Sequence, residues 1–203
     1  MNVPAWLEEV LPSRARAIVL GAGVLLAGAL FLPLWRITMY AGQFPEGIRL
    51  AIYSYKLEGG NGGADLQAIN ILNHYIGMRP LSIADFAEMK FIPFALGVFL
   101  LLGARTALFA RVHNLVDQLV LFLYFGLFSG AIFWYRMYTY GHQLDPEAPI
   151  RISGFTPPVL GHQHIANFDV YSYPSAGTYL FVVYALLLAG TLAVSARRAR
   201  RTG

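Results

Sequence analysis

Four long apolar blocks alternate with polar stretches along the chain. The first, Ala17 to Leu34, holds 18 residues without a charge between Arg16 and Trp35–Arg36. It exceeds the roughly 7–15 apolar residues of a signal-peptide core, and no A-x-A cleavage site follows, so it predicts a retained spanning helix. Gly21, Gly23, Ala27 and Gly28 offer that helix a small-residue face. The second block is Phe91 to Ala110, with Arg105 near its end. Ser82-Ile83-Ala84-Asp85 has the capping-box pattern and predicts a helix starting at Ile83, kinked at Pro93. The third block is Leu115 to Tyr135, and the fourth is Thr178 to Val194, closed by an arginine-rich tail. With their flanks these place four spans at about 17–34, 85–108, 115–136 and 177–195.

The two long connections carry their own structural signals. Ile48 to Leu57 reads as a strand running into a glycine-rich turn. Ala64 to Ile76 reads as a helix, with Leu66, Ile69, Leu72 and Ile76 on one face, Gly77 at the C′ position and Pro80 beyond it. The second connection has turns at Leu144-Asp145-Pro146 and Thr156-Pro157-Pro158, then a strand-like stretch from Ile165 to Tyr173. The expectation is an all-α membrane protein, a single membrane domain over 1–203. Its four transmembrane helices carry an extracytoplasmic α/β-irregular cap made of the two long loops, 35–84 and 137–176.

Composition agrees with a bilayer as solvent. Hydrophobic residues make up 57% of the chain and charged residues 13%, about half the charged share usual in soluble domains. Mean hydropathy is +0.52. Cysteine is absent, which excludes disulfides, c-type haem attachment and thiolate-ligated metal clusters. The positive charge flanks apolar blocks, which points to topology rather than nucleic acid. Segments 1–16, 104–114 and 195–203 hold 8 of the 15 basic residues in 36 positions, while 35–90 and 136–177 hold the other 7 in 98. That asymmetry predicts cytoplasmic termini and outward long connections in a bacterial inner (cytoplasmic) membrane, with membrane lipids as the first partner.

Candidate chemistry is one-sided. His113 falls in a cytoplasmic turn, whereas His74, His142, His162 and His164 fall on the outward side. No span carries a mid-membrane histidine, which disfavours a buried bis-His haem but leaves haem near the outer surface open. His162-Gln163-His164 would project both imidazoles to one face of a strand. His74 and Met78, one helical turn apart, offer nitrogen and thioether, a pair suited to copper. His142 precedes Asp145, a spacing that can orient a metal-ligating ring. His74 and His142 are expected to approach one another at the base of the cap. There is no G-x-S-x-G elbow, P-loop or H-E-x-x-H motif, and no acid in mid-span for ion coupling.

Several outer-loop strings follow in order: Gln43-Phe44-Pro45-Glu46-Gly47, Asp65 to Asn70, Leu72-Asn73-His74-Tyr75-Ile76-Gly77-Met78, Gly141-His142-Gln143-Leu144-Asp145-Pro146, Pro157-Pro158 and Asn167-Phe168. Together they resemble a family of small four-span bacterial membrane proteins found with nitrous oxide reductase genes, the NosB-type accessory proteins. The resemblance covers nearly the whole chain and is most specific at LNHYIGM. It marks Asn73, His74, Tyr75, Gly77, Met78, His142, Asp145 and Pro146, and does not extend to His162 and His164. It implies a setting, an accessory role in nitrous oxide respiration, rather than a mechanism. In that role a His/Met-containing periplasmic cap docks a copper enzyme or copper chaperone, or handles copper through His74, Met78 and His142. Asn73, Tyr75 and Asp145 would then serve structure or docking, and His162 and His164 are a lesser metal candidate. The alternative is a haem- or quinol-associated subunit of an electron-transfer complex, and the simplest reading is a structural scaffold.

Overall fold

The structure, a computed structural model, describes residues 4–165 and 167–202. It is mostly helical, with one antiparallel sheet at one end of a helix bundle. The elements are α1 (Ser13–Ala27), β1 (Trp35–Ala41), β2 (Phe44–Ile52), β3 (Leu57–Gly59), α2 (Ala64–Tyr75), α3 (Phe91–Phe109), α4 (Val112–His142), β4 (Gly161–Ile165), β5 (Phe168–Pro174) and α5 (Ala176–Thr202).

Four helical segments are long and apolar enough to cross a membrane: Ser13–Phe31, Glu88–Phe109, Val112–His142 and Ala176–Arg198. At about 1.5 Å per residue, the 19 residues of α3 reach close to the thickness of a hydrocarbon core. Most of their side chains face outward, among them Phe94, Leu101, Leu108 and Leu127. From Leu123 to Arg136, α4 has no buried residue at all. In water this surface would drive aggregation, whereas lipid solvates it.

The bundle interior is small and well packed. Val19, Leu26, Leu115, Tyr184 and Leu188 are fully buried. Gly23 and Gly28 let neighbours in: a Cβ on Gly23 would stand 3.1 Å from Leu100 of α3, and one on Gly28 3.4 Å from Leu180 of α5. Gly21 faces open space, so only part of the small-residue face in the first block serves packing.

The second span begins later than the capping-box pattern predicts. Ser82 does cap, its Oγ accepting from the Ala84 N–H at 3.2 Å, but the turn it starts is a 3-10 turn that ends at Asp85. Phe86 is then non-helical (φ −112°, ψ 54°). The cause is burial: Phe86 and Met89 turn inward against Tyr140, and the Phe86 and Tyr140 rings stack at 5.5 Å. A second 3-10 turn leads into α3 at Phe91. Pro93 therefore lies in the first turn of α3, where its missing N–H costs no hydrogen bond, and not at a mid-helix kink.

The strand-like stretches expected in the two long connections belong to one ordered antiparallel sheet. Its order is β3-β2-β1-β5-β4, and the central β1–β5 pair joins the two long connections, with Trp35 opposite Pro174 and Thr38 opposite Tyr171. Trp35 to Ala41, which carries the aromatic signature of a membrane interface, is in fact the central strand. The strand expected over Ile48–Leu57 is split: β2 ends at Ile52, a turn closes with the Tyr53 N–H on the Lys56 carbonyl, and β3 follows. One face of the sheet, with Ile37, Ile48, Leu50 and Val170, packs on Ile69, Leu66 and Leu72 of α2. The other face, with Thr38, Tyr40, Tyr171 and His162, is open. The sheet is tied to the bundle where α1 ends and α5 begins: the Gly177 N–H donates to the Pro33 carbonyl (2.9 Å) and the Thr178 hydroxyl to Leu34 (2.6 Å).

Candidate functional site

The helix expected over Ala64–Ile76 is present as α2, and its C-terminus builds the base of the site. The Met78 N–H reaches back to the Asn73 carbonyl (2.8 Å) and the Gly77 N–H to His74 (3.2 Å), a Schellman cap with Gly77 at φ +78°. Asn73 is buried and its amide donates to the Arg79 carbonyl at 3.4 Å. Asn70 closes the next turn, accepting from the Leu81 N–H at 2.7 Å. The helix end is thus held from three positions.

Against this cap lies the segment that follows α4. The Asp145 N–H donates to the Gly77 carbonyl (2.8 Å), and the Ile150 N–H to Tyr75 (2.9 Å). Asp145 organises its own turn, accepting from the Glu147 N–H at 2.9 Å. A Cβ on Gly77 would fall 2.8 Å from the Asp145 carbonyl oxygen, so a glycine is required for contact as well as for φ. Between the two segments runs an open groove of about 540 Å³ lined by His74, Gly77, Met78, Arg79, Pro80, Gln143, Leu144 and Asp145. Exposed Ile71, Tyr75 and Ile150 surround the same helix end.

The groove joins His74, Met78 and Asp145, but not His142. The His142 ring turns back on its own helix: Nδ1 lies 2.9 Å from the Tyr138 carbonyl, the ring stacks on Tyr138 at 4.0 Å, and Gly154 covers its edge. Its carboxylate neighbour in sequence, Asp145, is engaged with Glu147 instead. Among the described residues no three His, Asp or Glu side chains surround one point as a formed metal centre does. Of the set His74, Met78 and His142, the groove thus brings His74 and Met78 together, while His142 turns to its own helix.

His162 and His164 share a face of β4, as i and i+2 positions in a strand must. Their cross-strand neighbours are Tyr171 and Asp169. His162 Nε2 stands 2.9 Å and His164 Nδ1 3.2 Å from the same Asp169 Oδ1. The hydrogen bond from His162, then that from His164, holds the Asp169 carboxyl below its usual value. His162 also stacks on Tyr171 at 4.4 Å.

Two polar contacts escaped sequence reasoning. Inside the bundle the Thr106 hydroxyl donates to Gln118 Oε1 (2.9 Å), and Gln118 Nε2 donates to the Tyr184 hydroxyl (2.6 Å), tying α3, α4 and α5 together. A search for mid-span acids and histidines passes over a glutamine and a tyrosine. The signal was Gln118 itself, a polar residue one turn inside an apolar block. The second contact is an ion pair between Glu88 and Arg136 where α3 and α4 emerge beside the sheet.

These features define a multi-pass membrane protein with four candidate spans and a mixed α/β layer at one end. No family model matches the chain, and no curated protein matches it.

Proposed function

We propose that the chain is an inner-membrane accessory protein of a nitrous oxide-reducing respiratory system, with the sheet and α2 facing the periplasm. Its role there is to dock a periplasmic copper enzyme or copper donor. The observation that carries this reading is the meeting of two separate strings. Leu72–Met78 and Gly141–Pro146 are the stretches on which the family resemblance chiefly rests, and they join through Gly77 and Asp145 to line one groove. The exposed ring of apolar and aromatic residues around it, Ile71, Tyr75 and Ile150, suits a protein contact. At the other end of the bundle lie Arg14 and Arg16 in the first turn of α1, Arg105 near the end of α3 and Arg111 in the α3–α4 turn, the arrangement favoured on the cytoplasmic side. His74 and Met78 give the groove a mixed nitrogen and thioether character, and no resident copper is part of the proposal.

The test is genetic and direct. Cells lacking the gene should lose nitrous oxide consumption and regain it with the wild-type chain. A chain carrying Tyr75→Ala with Arg79→Ala should reach the membrane and fail to restore it. Full nitrous oxide reduction without the gene would refute the proposal.

A further inference from the structure

We infer that Asn114, Gln118 and Tyr184 form a binding site for a resident water molecule inside the bundle, in the half next to the α3–α4 turn. The Asn114 side chain carries the inference. It is 4% exposed, and its Oδ1 finds no donor among the described residues. A buried amide left without partners costs more than its hydrogen bonds would contribute, so interior polar groups are nearly always satisfied, by protein or by water. The lipid around the bundle offers no other partner.

The donors nearby are engaged elsewhere. Thr191 and Ser195, both buried, donate their hydroxyls to the Leu187 and Thr191 carbonyls of their own helix, at 2.7 and 2.9 Å. The Thr106 hydroxyl goes to Gln118 Oε1, and one N–H of the Gln118 amide goes to the Tyr184 hydroxyl oxygen. That leaves the second N–H of Gln118 and the O–H of Tyr184, a side chain with no exposure. An acceptor without a donor and donors without an acceptor thus share one apolar interior and do not bond directly.

Their spacing suits one water. Asn114 and Gln118 are four residues apart on the buried face of α4, which sets their Cβ atoms about 5–6 Å apart. A water bonded at about 2.8 Å on each side spans the same distance. It donates to Asn114 Oδ1 and accepts from the Tyr184 O–H, which meets the two to four partners a buried water needs. Gly103 of α3 keeps the flank of the glutamine clear, since a Cβ there would stand 3.3 Å from Gln118 Nε2. The end of the bundle is closed by Leu11 and Val112, each 1% exposed. The Leu11 N–H is fixed to the Ala110 carbonyl (2.6 Å) and the Val112 N–H to Glu9 (3.1 Å). A water behind them exchanges slowly and belongs to the fold, not to a pore.

The experiment reads water contact and stability on the full-length chain. With isotope-labelled asparagine in lipid nanodiscs, water-edited solid-state NMR at short mixing times should show magnetisation passing from water to the Asn114 side chain, assigned by its loss in Asn114→Leu. Thermal unfolding gives a second readout whose sign decides. Asn114→Leu keeps the side-chain volume and removes the polar demand, so it should stabilise the chain if Oδ1 bonds to nothing. With the water in place it should instead lower the unfolding temperature by about 2–4 °C, because the water and the Tyr184 O–H lose their acceptor. Asn114→Leu and Tyr184→Phe should also be non-additive, since both act on one water. An Asn114 side chain that receives no magnetisation from water, an Asn114→Leu chain as stable as the wild type or more so, or strict additivity with Tyr184→Phe overturns the assignment.

Discussion

Arg136 grips Glu88 through two parallel bonds, Nε to Oε1 at 2.5 Å and Nη2 to Oε2 at 2.7 Å. The pair joins α4 to the turn that precedes α3, and the Arg136 guanidinium also lies 6.0 Å from the Phe86 ring centroid. Both side chains are about a quarter to a third exposed, so the pair is only partly screened. The fork needs a planar guanidinium. Arg136→Lys should therefore destabilise nearly as much as Arg136→Ala, by about 1–3 kcal/mol, and the measurement is thermal unfolding in detergent. A lysine variant as stable as the wild type would show that charge alone suffices.

Gly77 combines a left-handed backbone with contact to Asp145, whereas Gly62 has a similar φ (+66°) and open space around it. The two separate strain from contact. Gly62→Ala should cost only the conformational penalty, about 1 kcal/mol. Gly77→Ala should cost more and detach the segment after α4. Limited proteolysis at 143–150 is the readout, with accelerated cleavage expected in the Gly77 variant only.

How much of this was legible in the sequence depends on the kind of signal. Apolar blocks of 17 or more residues are hard to mistake, because lipid leaves few ways to satisfy a backbone. The α2 helix and its Gly77 cap were equally readable from local periodicity. The sheet was not. Trp35–Ala41 carries a tryptophan, an arginine and a tyrosine beside an apolar block, which is also what a membrane interface contains. Its identity as a central strand depends on pairing with Phe168–Pro174, over 120 residues away, and no local pattern encodes that partner. Within the site, His74 and Met78 shared a helix face by spacing alone. Asp169 joined His162 and His164 only through the turn of the β4–β5 hairpin.

The Gln118–Tyr184 hydrogen bond crosses from α4 to α5 in an apolar interior. Tyr184→Phe removes the acceptor and leaves a buried amide donor unpaired, while Gln118→Leu strands the Tyr184 hydroxyl together with the Thr106 hydroxyl that donates to Gln118. The double variant should be more stable than the sum of the single losses predicts, with a coupling of about 0.6–2 kcal/mol. Unfolding of the four proteins in mixed micelles measures it, and strict additivity would mean that the bond carries no net stability.

Acid should loosen the open edge of the sheet. The folded Asp169 carboxyl titrates below its unfolded value because His162 and His164 donate to it. Its contribution is complete above about pH 4 and is lost as pH falls through the depressed folded value. Protection of the amides at 161–165 and 167–172, taken relative to their intrinsic exchange rates, should therefore fall on acidification below pH 4 in the wild type. In Asp169→Asn it should be lower already at pH 6 and change less with acid.

Topology can be tested independently of function. The turn between α3 and α4 contains only Ala110 and Arg111, and it bonds to the N-terminal segment, the Leu11 N–H donating to the Ala110 carbonyl at 2.6 Å. The start of α1, this turn and the end of α5 therefore lie at one end of the bundle, and the sheet lies at the other. Eight basic residues in 36 positions mark the first end, against seven in 98 for the long connections. Because an arginine is costly to translocate in a short segment, the arginine-rich end should stay in the cytoplasm. A periplasm-active reporter fused after Gly60 or after Ser153 should be active, and one fused after Arg111 inactive. Activity after Arg111 with silence at the other two sites would invert the protein and place the groove on the cytoplasmic face, out of reach of any periplasmic enzyme.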